Sequence, residues 1–79
     1  MFCKYIILKK NFVPIIFHSA IEHVQEAQGR EVKSAGFVFI DFVNKTVRCT
    51  GNSVSLGGIE SDPELDSKLI LNMLTGWRI

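Results

Sequence analysis

The chain is short of the residues that build covalent scaffolds: 79 residues hold two cysteines, two prolines and one tryptophan. Cys3 and Cys49 belong to no CxxC pair and have no His pair beside them, which excludes a disulfide framework and a zinc-ribbon type of site; they read as small buried hydrophobes. Long apolar runs are missing too. The N-terminal MFCKYIILKKNFVPIIF is broken by Lys9, Lys10, Asn11 and Pro14, lacks a small-residue cleavage site, and falls short of the ~20 apolar residues that cross a bilayer. A soluble, cytoplasmic protein with no membrane contact is expected.

Charge of one sign is equally absent. Nine Lys and Arg against eight Asp and Glu leave a net charge of +1, far from the basic excess of proteins whose affinity rests on phosphate contacts. The balance is uneven along the chain: residues 1–58 are net +3 and residues 59–79 net −2. No repeat, linker or low-complexity segment divides the chain, so residues 1–79 read as a single domain.

What is abundant is apolar side chain, at 47% of residues with six Phe. A chain this short has room for one small core, and ordering it costs about 1.5 kcal/mol per residue. More apolar surface is present than a lone domain of this size hides, which points to a partner surface.

Local patterns give the elements. KYIILK and VPIIF read as strands joined by a turn at 10–12, with Pro14 placing the second at a sheet edge. Ser19 followed by Glu22 has the capping-box spacing, and Ile21, Val24 and Ala27 share one helical face, predicting a helix over 20–28 that stops at Gly29. SAGFVFIDFV is apolar on both faces, with Ala35, Phe37 and Phe39 on one and Val38, Ile40 and Phe42 on the other, as in a strand covered on both sides. Asn44 and Lys45 turn it into TVRCT, where Val47 and Cys49 point one way and Arg48 and Thr50 the other. Gly51 and Asn52 then turn into SVSL, a third strand of a meander. Asp62 before Pro63 predicts an N-cap and a helix running to about Leu74, with Gly76 as its stop and Leu65, Leu69, Ile70, Met73 and Leu74 as its apolar face. Leu71 falls outside that face. The sum is an α+β two-layer domain with an antiparallel sheet of about five strands, an N-terminal hairpin plus a three-strand meander, and two helices.

Reaction chemistry finds little support. TGNSVSLGG, residues 50–58, has the glycines of a phosphate loop but no Lys or Arg, and Glu60, Asp62, Glu64 and Asp66 crowd the following helix start, where they would repel an anion. His18 and His23 are five apart, one more than the spacing that shares a helical face, so no metal site is expected; His18 reads as a strand-end residue and His23 as a solvated one. Asp41, among apolar neighbours just before a turn, reads as a sheet-rim carboxylate. No catalytic residue, cofactor or metal is assigned.

KSAGFVFI, residues 33–40, resembles the RNP1 octamer of RNA-recognition motifs through Lys33, Gly36, Phe37 and Val38. Ala35 and Ile40 stand where that octamer has aromatics, and two strands precede the first helix where the family has one. The resemblance implies a single-stranded RNA or DNA binder using the sheet face. VKSAGFVFI, SVSLGG and DPELDSKLI, in this order, are similar to small uncharacterised reading frames of bacteria and their prophages. That similarity implies a compact protein acting by binding, such as a phage-encoded inhibitor of a host protein.

The leading expectation is therefore a non-enzymatic protein-binding module that self-associates as a homo-oligomer, with nucleic-acid binding as the alternative. Its interface is expected on the two-faced strand, at Phe37 and Phe39 or at Val38, Ile40 and Phe42, and on the C-terminal segment, at Leu71, Trp77 and Arg78. Trp and Arg are the residue types most enriched at interface hot spots.

Overall fold

The computed structural model describes residues 1–76. β1 (Phe2–Leu8) and β2 (Pro14–Phe17) form the N-terminal hairpin. Leu8 N–H donates to Val13 O at 2.9 Å, and Asn11 and Phe12 take positive φ in the turn. There follow α1 (His23–Ala27), β3 (Val32–Asp41), β4 (Thr46–Thr50), the short strands β5 (Asn52–Ser53) and β6 (Ile59–Glu60), and α2 (Pro63–Gly76). The four longer strands make one antiparallel sheet in the order β2-β1-β3-β4, and β5 and β6 make a separate antiparallel ribbon. The protein is a small α+β fold, with Pro14 on an edge strand as its missing N–H requires.

Strand register sorts the side chains into two cores. Tyr5 lies opposite Gly36, Cys3 opposite Val38, Val38 opposite Cys49 and Ile40 opposite Val47. That set, with Ile7, packs under Leu69, Ile70 and Leu74 of α2. The opposite face is smaller: Ile6, Phe17 and Ala35 meet Ala27 of α1 together with Leu56 and Ile59 at the ribbon. No helix among the described residues is long and apolar enough to cross a membrane.

Two local expectations change. The first helix is five residues long, and its capping box joins Glu22 and Gln25, not Ser19 and Glu22. Its buried face is His23 and Ala27, one turn apart, while Ile21 and Val24 are exposed; His23 is therefore not solvated. Residues 53–56 do not extend the meander. Ser53 Oγ accepts the Leu56 N–H at 3.2 Å and Gly58 N–H returns to Ser53 O at 2.9 Å, so the segment curls into the ribbon's turn and leaves Val54 in solvent. A serine that bonds its own backbone in this way competes with a ladder, and alternation of apolar residues does not register that competition.

The helix and the main sheet are joined by a buried carboxylate. Asp66 is completely buried. It accepts Tyr5 Oη–H at 2.5 Å, Ser34 Oγ–H at 2.8 Å, the Asp62 N–H at 2.9 Å and Lys33 Nζ at 3.1 Å, so β1, β3 and the start of α2 all bond it. The close approach needs Gly36: a Cβ there would run into the Thr50 carbonyl and press on Ser61, the residue leading into α2. Burial by itself would raise the Asp66 pKa, but the four donors outweigh it and hold the carboxyl below its ordinary value of 3.8. Burial and the Asp66 bond push Tyr5 far above the usual phenol range.

Two outcomes follow for stability. Because native Asp66 binds its proton more weakly than the unfolded chain does, the unfolded state takes up the extra proton as pH drops below about 4. Its contribution is complete above that pH and is lost as pH falls toward the native pKa; denaturation midpoints measured from pH 6 to pH 2 should show the drop, and Asp66→Asn should flatten it. Gly36→Ala should destabilise by about 1–3 kcal/mol in urea titrations, since backbone on the far side of the contact cannot yield as a side-chain tip would.

Candidate binding surface

Where α1 and the ribbon stop, the second sheet face is bare. Its outward positions there are Phe2 on β1, Phe37, Phe39 and Asp41 on β3 and Thr46, Arg48 and Thr50 on β4, since Phe2 lies opposite Phe39, Phe37 opposite Thr50, Phe39 opposite Arg48 and Asp41 opposite Thr46. The rings form a cluster: Phe2 and Phe37 are nearly parallel with centroids 5.5 Å apart, and Phe2 and Phe39 are 4.6 Å apart. Phe2 and Phe39 remain 46% and 50% exposed, a costly display for an 8.9 kDa domain that has two cores to fill. Phe42 and Val43 extend the apolar surface into the β3–β4 turn.

That turn is rigid. Asp41 accepts the backbone N–H groups of Val43 and Asn44 at 3.0 and 3.1 Å and the Asn44 amide at 2.8 Å, which hold its carboxyl below the ordinary range. It sits at the exposed sheet rim, as its position before the turn predicts. Phe42 is thus presented on a fixed loop.

The expected interface residues divide. Phe37, half-buried, and Phe39 reach the bare face. Val38 and Ile40 leave the candidate surface: they are 0% and 3% exposed under α2, because the helix covers the face on which even-numbered β3 residues stand. Leu71 is half-buried and lines a groove of about 260 Å³ with Ile40, Phe42, Val47 and Leu74, between the end of α2 and the β3–β4 turn. Trp77 and Arg78 lie outside the described residues. Sequence reasoning missed Phe2, whose signal was its period-two spacing from Lys4 and Ile6. It also missed Asp66, whose signal was a carboxylate one turn before Ile70 on the helix's apolar stripe.

Cations near the face are few and engaged. Lys33, the basic residue of the RNP1-like octamer, turns to Asp66 and Ser34 and lies 5.6 Å over the Phe12 ring. Lys4 donates to Ile21 O at 2.9 Å. Among the described residues Arg48 is the remaining cation at these outward positions, so the face is an aromatic cluster bordered by Thr46, Thr50 and Asp41, with a single free positive charge among the described residues. The β4 strand carries its own protection, with Cys49 N–H satisfied by Ser67 Oγ of α2 at 3.1 Å.

No protein-family model, curated protein or solved structure matches this chain.

Cys49 is buried in the first core, and burial pushes its thiol pKa up, whereas Cys3 is half-buried. A thiol reagent under native conditions should modify Cys49 only as fast as the domain opens, with Cys3 reacting first. Rapid modification of Cys49 in the folded protein would contradict the packing described for β4 and α2.

Proposed function

We propose that the protein is a non-enzymatic binding module that docks protein through the aromatic face of Phe2, Phe37 and Phe39, and that it pairs with a second copy of itself through this face. The observation that carries the reading is the cluster of exposed rings on the two central strands, beside a rim with one free cation among the described residues. An apolar patch is complementary to its own image across a two-fold axis, and a net charge of +1 sets little repulsion between copies. Nucleic acid fits less well, because the octamer's lysine is spent on Asp66 and few cations remain to meet phosphates. The polar cluster of Tyr5, Ser34 and Asp66 is sealed in the core, bonded to itself, and offers no reacting group to a substrate.

Light scattering at tens of micromolar, on the order of the weaker transient affinities, should give a mass above the 8.9 kDa of one chain. Phe39→Asp should return it to one chain while costing the fold only about 1 kcal/mol, the worth of an aromatic pair. A wild-type mass of one chain at that concentration overturns self-pairing. Salt-sensitive retention of a single-stranded oligonucleotide by such a monomer would assign the face to nucleic acid instead.

A further inference from the structure

The border of the aromatic face is held by one side chain. His23 of α1 is 3% exposed, and its Nε2 lies 2.8 Å from the Gly36 carbonyl. A carbonyl only accepts, so Nε2 carries the hydrogen. The ring stands edge-to-face against Phe17 at 5.5 Å and Phe37 at 5.8 Å, wedged between a β2 ring and a β3 ring. Besides His23, α1 is held by Ala27 in the second core, by the Val24 N–H donating to Ser55 Oγ at 3.2 Å, and by Lys4 on the Ile21 carbonyl just before it. It is one turn and a half long, and of its five side chains only His23 and Ala27 are buried. A helix so short has no stability of its own, so its place on the sheet depends on these contacts.

We propose that His23 is an acid-released latch: neutral, it pins α1 over Phe17 and the covered part of Phe37; protonated, it lets α1 lift, adding Phe17 to the face of Phe2, Phe37 and Phe39 and uncovering the rest of Phe37. The inference rests on that face being the docking surface and supplies its regulation. The geometry favours release. Nε2–H already donates in the neutral ring, so a second proton, on Nδ1, creates no new bond to β3; it strengthens the Gly36 bond but puts a charge into an apolar cleft, and the desolvation outweighs the gain. The charged groups sharing the cleft are Lys4 of β1, which repels an imidazolium, and Glu22, whose carboxylate is committed to capping α1. β2 and β3 face the ring with Phe17, Gly36 and Phe37, β5 adds the uncharged Asn52, and the β5–β6 turn adds the uncharged Val54 and Ser55. Burial, with Lys4 adding to it and the Gly36 bond opposing, sets the His23 pKa below its ordinary 6.5.

The sign is therefore fixed. With the closed form binding its proton more weakly, the latch is secure above pH 6.5 and weakens as pH falls toward the closed-state pKa. The test is an NMR titration of the wild-type chain and of His23→Gln, which keeps an amide donor in reach of Gly36 O. In wild type, the resonances of Phe17, Gly36, Ala27 and Phe37 should move with the His23 imidazole at one midpoint below 6.5. Across that window the closed-to-open ratio of α1 should fall by up to tenfold per pH unit, while β1 and β3 amides stay protected. In His23→Gln these resonances should hold still. Lys4→Met should raise the wild-type midpoint. An imidazole that titrates without moving its neighbours, or one that stays neutral until the whole domain unfolds, overturns the latch. These readouts need no bound partner, so they are separate from the mass measurements that decide whether the face docks a second copy.

Discussion

The fold depends on a carboxylate out of reach of water. Desolvating a charge such as Asp66 costs several kcal/mol, and the cost is offset only if its lone pairs are all met in good geometry. Here the donors come from three places: Tyr5 on β1, Ser34 and Lys33 on β3, and the backbone at Asp62 where α2 begins. An apolar contact between α2 and the sheet would tolerate a shift of one turn or a rotation; a carboxylate with four directed donors does not. The hydrogen bonds thus set where α2 sits, and the apolar contacts of Ile70, Leu69 and Leu74 supply the area that holds it there.

Placing α2 decides the fate of the other face. Its fourteen residues cover the side bearing Tyr5, Val38, Ile40 and Cys49. What remains for the opposite side is a five-residue helix and a two-stranded ribbon, enough to cover Ile6, Ala35 and Phe17 but not Phe2 or Phe39. The exposed rings are the consequence of unequal cover on a sheet whose central strand is apolar on both sides. The same inequality leaves α1 two buried side chains, Ala27 and the His23 imidazole, and the covered and uncovered parts of that face meet at His23 and Phe37.

Much of this was legible in the residues themselves. Pro14 announced an edge, the alternation of TVRCT gave the inward set Val47 and Cys49, and Asp62-Pro63 marked the start of α2 within a residue. The two-faced pattern of residues 34–43 announced a central strand with more apolar surface than two helices hide. It could not say which side α2 would take, because Val38 and Ile40 are as apolar as Phe37 and Phe39. Short polar residues hid the rest. Ser53 and Ser55 alternate with Val54 and Leu56 as strand residues do, yet the Ser53 hydroxyl bonds the chain into a turn. Ser19, Glu22 and Gln25 offer two overlapping capping boxes, and only the three-dimensional contacts of His23 choose the second. Asp66 was lost among three acidic neighbours, Glu60, Asp62 and Glu64, at a helix start, where carboxylates are common for reasons of the helix dipole alone.

The most direct measurement of the central claim is a double-mutant cycle between β1 and α2, using Tyr5→Phe, Asp66→Asn and the pair, with stability read from urea titrations at pH 7. A carboxylate that organises the packing of α2 on the sheet predicts non-additivity of about 1–3 kcal/mol between the two sites, as for residues within one buried hydrogen-bond network. Effects that add within about 0.5 kcal/mol would contradict it and leave the position of α2 to apolar packing alone.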